Sequence, residues 1–341
     1  MMIWKNVILT VLFLTSLSLA AEGSIYVNNR SGNDANSGNV PTQALKTIAM
    51  GMRRLYNTGR RKLVIAESGM PYFETLYIPK GGTADAPLII DGGNAVLSGL
   101  QEIPASRWIK KENIWFFAFP SMPPLEPHLF IDGKKVPESK LNLSELPPFT
   151  CSWRRDGVYF KPAKGKRLED YKILGSLLDC GVKINNASYV ICRNITCEYF
   201  SNDGFNAHGN CQFLLFEKII SRHNGDDGFS VHEDVVAIVR NGHFYDNNFG
   251  IDDVNMSRSD YYRVVAEDNH KYGIHFSGGL HSVIDSIVRN NIHGQIKLNS
   301  GQADRMGATR SNPMVKEVSY LKNVSICGPV FGVYAQKKAA A

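Results

Sequence analysis

Asn202-Asp203-Gly204-Phe205-Asn206-Ala207-His208 is followed by Gly225-Asp226-Asp227-Gly228-Phe229-Ser230-Val231-His232, then by Asn248-Phe249-Gly250-Ile251-Asp252-Asp253-Val254 and Tyr272-Gly273-Ile274-His275-Phe276-Ser277. Each is a polar turn, a glycine and a short run in which apolar and polar residues alternate. The glycines Gly181, Gly204, Gly228, Gly250, Gly273 and Gly294 recur at steps of 23, 24, 22, 23 and 21 residues. Alternation has the period of a strand, and no run shows the three-and-four apolar spacing of a helix. Strands this short cannot bury their apolar faces alone; stacked in successive turns they can. The repeat therefore predicts an all-β chain, a parallel β-solenoid over residues 171–335.

Working outward, residues 104–170 hold Trp108, Trp115, Trp153 and most of the prolines, break the period and read as an inserted lobe. Residues 21–103 read as an N-terminal cap and first coils, with strands at Ser24 to Val27, Leu63 to Ala66, Leu76 to Ile78 and Leu88 to Ile90. Between the first two, Thr42 is placed to cap a helix with Leu45, Ile48, Met52 and Leu55 on one face, which would cover the open first turn. Residues 1–20 have the form of a signal peptide: Lys5, an apolar stretch over residues 7–19, and Ser18-Leu19-Ala20 before the cut. The expected product is secreted or periplasmic, free of the membrane and monomeric.

Composition narrows the function. The chain has 341 residues, with 38 Lys+Arg against 32 Asp+Glu, and no basic run dense enough for nucleic acid. The net charge of +6 suits an anionic substrate without requiring one. Six cysteines without CxxC spacing give no zinc ribbon; buried thiols or a single disulfide remain open.

Aligning the coils on their glycines gives columns. Cys180, Asp203, Asp227, Phe249 and Tyr272 precede the glycine. Lys183, Asn206, Ser230, Asp252 and His275 stand two places after it, and a one-residue shift brings Lys297 beside His275. Asn185, His208, His232, Val254 and Ser277 stand four places after. Asp203, Asp227, His208, His232, Asp252, His275 and Lys297 are thus expected on one exposed face, bordered by Asp226 and Glu233. Stacked strands lie about 4.8 Å apart. Carboxyl groups that close do not ionise independently, and one is held protonated, as a general acid must be.

The opening Tyr26-Val27…Ser31-Gly32-Asn33-Asp34…Ser37-Gly38…Pro41…Leu45-Lys46-Thr47-Ile48 resembles the start of secreted right-handed parallel β-helix proteins of the pectin-lyase-like superfamily. Gly81-Gly82-Thr83-Ala84-Asp85-Ala86-Pro87 and Ile90-Asp91-Gly92 are similar too. Leu129-Phe130-Ile131-Asp132-Gly133-Lys134 with Asp156-Gly157-Val158-Tyr159-Phe160-Lys161-Pro162 resembles the inserted lobe of β-helix glycosidases. The resemblance implies a right-handed helix and a polysaccharide partner. Asn202-Asp203-Gly204 and Gly225-Asp226-Asp227-Gly228 resemble the aspartate signatures of polygalacturonase-type hydrolases, and Gln295-Ile296-Lys297 that family's substrate-binding Arg-Ile-Lys. The chain departs from that pattern at Phe249 and at Gln295, which replaces the arginine.

Three functions follow as expectations. In a glycoside hydrolase, Asp203 with Asp226 or Asp227 does acid–base work, His208 and His232 position them, and Lys183, Asp252, His275 and Lys297 meet substrate. In a polysaccharide lyase, Lys183, His232 or Lys297 removes the proton α to a uronate carboxyl while the carboxylates hold Ca²⁺. In a glycan-binding protein without turnover, Trp153, Tyr261 or Tyr262 stacks on sugar rings. A zinc site from His208, His232 and Asp227 is a minor alternative; no metal is assigned.

Overall fold

The computed structural model describes residues 23–119, 128–299 and 318–336. The signal-peptide segment lies outside the described residues. No helix among the described residues is long and apolar enough to cross a membrane.

The chain is a right-handed parallel β-helix with three strands per coil. One sheet has eight parallel strands: Leu76–Ile78, Val182–Asn185, Phe205–His208, Asp227–Val231, Phe249–Val254, Tyr272–Ser277, Gly294–Asn299 and Val333–Gln336. The other two strands of each coil lie in a fourteen-stranded sheet, joined where Leu88–Ser98 and Val190–Glu198 run unbroken through a corner and pair side by side. Inward positions of all three faces are Ile, Val, Leu and Phe, and form one continuous core that includes Ile184, Phe205, Phe216, Phe229, Phe244, Ile274 and Ile296.

The corners explain the polar part of the repeat. Tyr199, His223, Asp246, Asp268 and Asn290 all take left-handed backbone, φ 53–59°, to turn each coil toward the eight-stranded sheet. The residue after four of these corners is a buried asparagine: Asn224, Asn247, Asn269 and Asn291. Each backbone N–H donates to the side-chain oxygen one coil on: Asn224 to Asn247 at 3.1 Å, Asn247 to Asn269 at 3.1 Å and Asn269 to Asn291 at 3.0 Å. Gln295 Oε1 ends the ladder on Asn291 N at 3.2 Å. Buried backbone donors that a tight corner leaves without a strand partner are satisfied this way. The repeating glycines follow because a Cβ would collide with the stack: at Gly204 it would lie 1.8 Å from Ser221 Oγ.

The lobe interrupts the solenoid between two coils that pair directly. Leu76 aligns with Val182 and Leu88 with Val190 across about a hundred residues of intervening chain. It reaches from Leu100 to Ser176, because Leu100–Glu102 pairs antiparallel with Ile173–Ser176. A second antiparallel sheet of Ile109–Lys111, Ile114–Ala118, Gly157–Lys161 and Thr150–Arg154 closes on its own core, which holds Trp108, Phe117, Leu129 and Phe160.

The cap is a helix at Ile48–Thr58, later than Thr42 would start it. Pro41–Gln43 forms a separate 3₁₀ turn, and the capping residue is Thr47, whose side chain accepts from Met50 N. Asp34 holds Thr47 from behind, and Glu74 accepts from Ile48 N and Ala49 N at 3.1 Å each, so the orphan donors of the first turn are met. Ile48, Met52 and Leu55 face the core as expected. Thr47→Ala is expected to cost about 1 kcal/mol, read as a lower urea midpoint with an unchanged slope. An unchanged midpoint would leave the cap to Glu74 alone.

All six cysteines are free thiols, five of them buried. Burial pushes the Cys192 thiol up to about 12, so it acts as a core side chain rather than a nucleophile.

Candidate active site

The eight-stranded sheet brings the expected columns together. Lys183, Asn206, Ser230, Asp252, His275 and Lys297 are register partners in succession, including the shifted last coil. The strand register also aligns Asp227 with Phe249 and Tyr272 with Gly294.

Asp203, Asp226 and Asp227 form one cluster, each with an oxygen within 4.8 Å of the others. They are held differently. Asp203 Oδ1 accepts from Asp227 N at 3.1 Å, and its Oδ2 from Asn206 Nδ2. Asp226 is half-buried and accepts from Asn248 Nδ2 at 2.9 Å. Asp227 Oδ1 is buried without a hydrogen-bond partner, as is Asn206 Oδ1.

The face is recessed rather than open, a correction to the exposed face expected above. Asp203 is 3% and Asp227 5% exposed, and Asn206, Ser230 and His275 are also buried: Asp203 and Ser230 bond the backbone of adjacent coils, Asn206 turns to Asp203, and His275 lies between Asp252 and Asn299. That burial sets their acidity. It pushes the Asp203 and Asp227 carboxyls well above the usual carboxylate range, and the nearby charge of Asp226 adds to the rise.

His208 and His232 stack face to face, centroids 4.0 Å apart and planes 14° apart. His208 Nδ1 lies 3.2 Å from Glu233 Oε2, which also accepts from Gly209 N at 2.8 Å. His232 Nε2 lies 2.9 Å from Ser230 Oγ. The imidazoles thus serve each other, Glu233 and Ser230. The metal-capable group among the described residues is the aspartate trio, not the His208, His232 and Asp227 set considered for zinc.

Of the expected substrate contacts, Lys183 is paired with Asp179 at 2.9 Å, and His275 Nδ1 with Asp252 at 2.8 Å. Lys297 Nζ lies 5.3 Å from the Tyr272 ring centroid. One cation was missed. Lys271 belongs to the column Asn202, Asp226, Asn248, Lys271 and His293, linked N–H to C=O from coil to coil, and its Nζ lies 4.8 Å from the Phe249 ring centroid. Alignment on the column one place before the aspartates would have exposed it. Phe249 and Tyr272 stack at 6.1 Å, directly beyond the aspartates in their own column.

The aromatic residues expected to bind sugar do not line this face. Tyr261 is fully buried, its hydroxyl donating to Asp253, and it belongs with Tyr262 to the other sheet. Arg258–Tyr262 alternates so that Ser259 and Tyr261 point inward. Trp153 is in the lobe, stacked on Phe119 at 5.9 Å.

No family model matches the chain, and no curated protein matches it. Solved structures do. The complex of XylC with xylose has a TM-score of 0.58 at 12% identity over 92% of this chain and 66% of its own, so the chain spans about two thirds of that protein's length. A structure described as a glycoside hydrolase has a TM-score of 0.50 at 12% identity, covering 91% of this chain and 97% of its own. Pectate lyase Pel9A has a TM-score of 0.48 at 13% identity, covering 96% and 83%. What the first two likenesses show is a fold, the right-handed parallel β-helix.

Proposed function

We propose that this protein is a polysaccharide-active enzyme that hydrolyses glycosidic bonds with Asp203, Asp226 and Asp227. The observation that carries the reading is a pair of buried carboxyls of raised pKa against a third, half-buried carboxyl within 4.8 Å. A buried acid that keeps its proton near neutrality can give it to the glycosidic oxygen as the bond to the anomeric carbon breaks. Asp226, the most accessible of the trio, takes a proton from the incoming water or attacks the anomeric carbon itself. The short spacing lies close to the separation of about 5–5.5 Å at which direct attack occurs. His208 and His232, locked by stacking and by Glu233 and Ser230, stand further along the same two strands, where a longer substrate would reach them.

The substrate is an acidic glycan. Lys183 is paired with Asp179 and His275 with Asp252, whereas Lys271 and Lys297 have no carboxylate partner among the described residues and are held over ring faces two and three coils beyond the trio. They would meet a carboxylate or sulfate on a sugar unit further along the chain than the one at the aspartates. The double variant Lys271→Met with Lys297→Met is expected to raise KM for an acidic polysaccharide about tenfold, the worth of one exposed-to-half-buried charge contact, and to leave a neutral one unchanged. Equal effects on both would remove the lysines from recognition. Export through residues 1–20 fits an extracellular glycan.

A second reading has its own support. Oxygen-only donors from Asp203, Asp226 and Asp227, with the unpartnered Asp227 Oδ1 and Asn206 Oδ1 beside them, fit Ca²⁺. Bound there, the ion would neutralise charge developing on a uronate, and His232 or Lys297 would take the α-proton; Lys183, held as an ammonium by Asp179, would not. Incubation with acidic and neutral polysaccharides, with Ca²⁺ or chelator, separates the two. Hydrolysis gives reducing ends that chelator leaves intact. Elimination gives ultraviolet absorbance that chelator abolishes. Binding without either product would leave a glycan-binding protein.

A further inference from the structure

The strand Phe249–Val254 carries two adjacent aspartates that point opposite ways. Asp252 faces out to His275; Asp253 points into the core and is fully buried with Ser259, Tyr261 and His281. His281 Nε2 lies 2.6 Å from the Gly278 carbonyl oxygen, which can only accept, so Nε2 carries a proton. His281 Nδ1 faces Ser259 Oγ at 2.8 Å. Ser259 Oγ is also hydrogen-bonded to Asp253 Oδ2, to which the Tyr261 hydroxyl donates at 2.7 Å.

His281 Nδ1 also lies 3.6 Å from Asp253 Oδ2, and aromatic rings close over the cluster. Phe276, from the next coil, stacks on His281 at 4.3 Å and on Tyr261 at 5.9 Å, and Phe229 meets Tyr261 edge-on at 6.0 Å. Val231 pairs with Asp253 from the coil before. The titratable groups facing Asp253 are His281, Tyr261 and the neighbouring Asp252. Asp253 Oδ1 has no hydrogen-bond partner, which a buried carboxylate tolerates far less than a neutral acid does. A neutral chain satisfies the remaining groups: the Asp253 acid O–H donates to Ser259 Oγ, the Ser259 hydroxyl to His281 Nδ1, and His281 Nε2–H to Gly278 O.

We propose that Asp253, Ser259 and His281 form a proton-exchange couple, in which folding moves one proton from the histidine to the aspartate so that the core holds no charge. The unfolded chain has an imidazolium and a carboxylate; the folded one has a neutral imidazole and a carboxylic acid. No proton is exchanged with solvent, and atoms and charge balance. Burial supports this in both directions, lifting Asp253 to about 7 and lowering His281 to about 4. Between about pH 4 and the ordinary histidine value of 6.5, folded and unfolded states therefore bind equal numbers of protons at the couple. Its contribution to stability is flat there, and either residue alone would make it steep.

The test is denaturant unfolding of the full chain at several pH values across that range, each variant read against the wild-type curve. Asp253→Asn keeps a donor toward Ser259 and leaves the histidine unmatched. Its unfolding constant should fall about tenfold per pH unit as pH rises, because only the unfolded state then holds the histidine proton. His281→Gln leaves the acid unmatched, and its unfolding constant should rise about tenfold per unit. A variant whose curve runs parallel to the wild type overturns the proposal. Nitrogen-15 NMR of His281 in the wild-type protein needs no variant: a neutral Nε2–H tautomer within the range is expected, and an imidazolium there overturns it. Neither experiment depends on enzymatic activity.

Discussion

Asp227→Asn is expected to lower kcat about a thousandfold on the best polysaccharide substrate and to stabilise the folded protein at neutral pH. The first effect is the loss of a positioned proton donor or acceptor, worth about 10²–10⁴ in rate. The second comes from the same burial. The Asp227 carboxyl is raised well above its ordinary 3.8, first by burial and then by Asp226, Asp252 and Asp203. Native Asp227 therefore keeps a proton that the unfolded chain releases, so stability falls as pH rises from about 4 toward the native value. Asparagine removes that penalty, and the gain over wild type should be larger at pH 7 than at pH 4. Asp203→Asn should gain less, because the Asp203 carboxylate accepts from both Asn206 and Asp227 N, and an amide loses one of those acceptors. The checks are kcat and thermal midpoints at the two pH values. Activity within tenfold of wild type, or a variant less stable at pH 7, would remove Asp227 from the chemistry.

That opposition of activity and stability separates a working site from a turn. Asp and Asn are ordinary corner residues in a solenoid, and this chain has true examples: Asp246, Asp268 and Asn290, each before an asparagine, sit at left-handed corners. Asp203 and Asp227 do not. Their backbones are not left-handed among the described corners, and their side chains converge with Asp226.

Period and column were readable because a solenoid repeats its backbone, so equal steps in sequence become neighbours in space. The shifted pairing of His275 with Lys297 came from sequence and stands in the structure. Depth was not readable. A polar residue at an outward position reads as exposed, yet Asn206 turns back to Asp203 in its own coil and Ser230 to the Asp252 carbonyl of the next. Asp253 stands at an inward position of its strand, and nothing local in the sequence announces the Ser259, Tyr261 and His281 that surround it. The lobe's limits depend on Leu100–Glu102 finding Ile173–Ser176, a long-range pairing with no local signature. The helix start was missed because Thr42 and Thr47 are equally good caps by residue type; the carboxylates of Asp34 and Glu74, distant in sequence, select Thr47.

The largest loss of stability is expected from Asn269→Ala, a fully buried corner side chain that points into the stack rather than to the candidate site. Asn269 Oδ1 accepts from Asn247 N at 3.1 Å, and its Nδ2 donates to Phe244 O at 3.2 Å and to Asn291 Oδ1 at 2.8 Å. Alanine leaves the Asn247 N–H and the Phe244 carbonyl buried without partners, in a stack that admits no nearby replacement. At about 1–3 kcal/mol for each such group, the cost is about 4 kcal/mol. Asp268→Gly, one residue earlier, is the matched control. Its corner has φ 55°, which glycine adopts freely, so the change should lie within about 0.5 kcal/mol. Because each coil touches only its neighbours, the damage should be local as well as large. Hydrogen exchange in Asn269→Ala should quicken first in the coils between Phe244 and Asn291, and the coils around the helix cap should keep wild-type protection. Equal losses in the two variants would mean that the corner backbone, rather than the asparagine ladder, holds the stack.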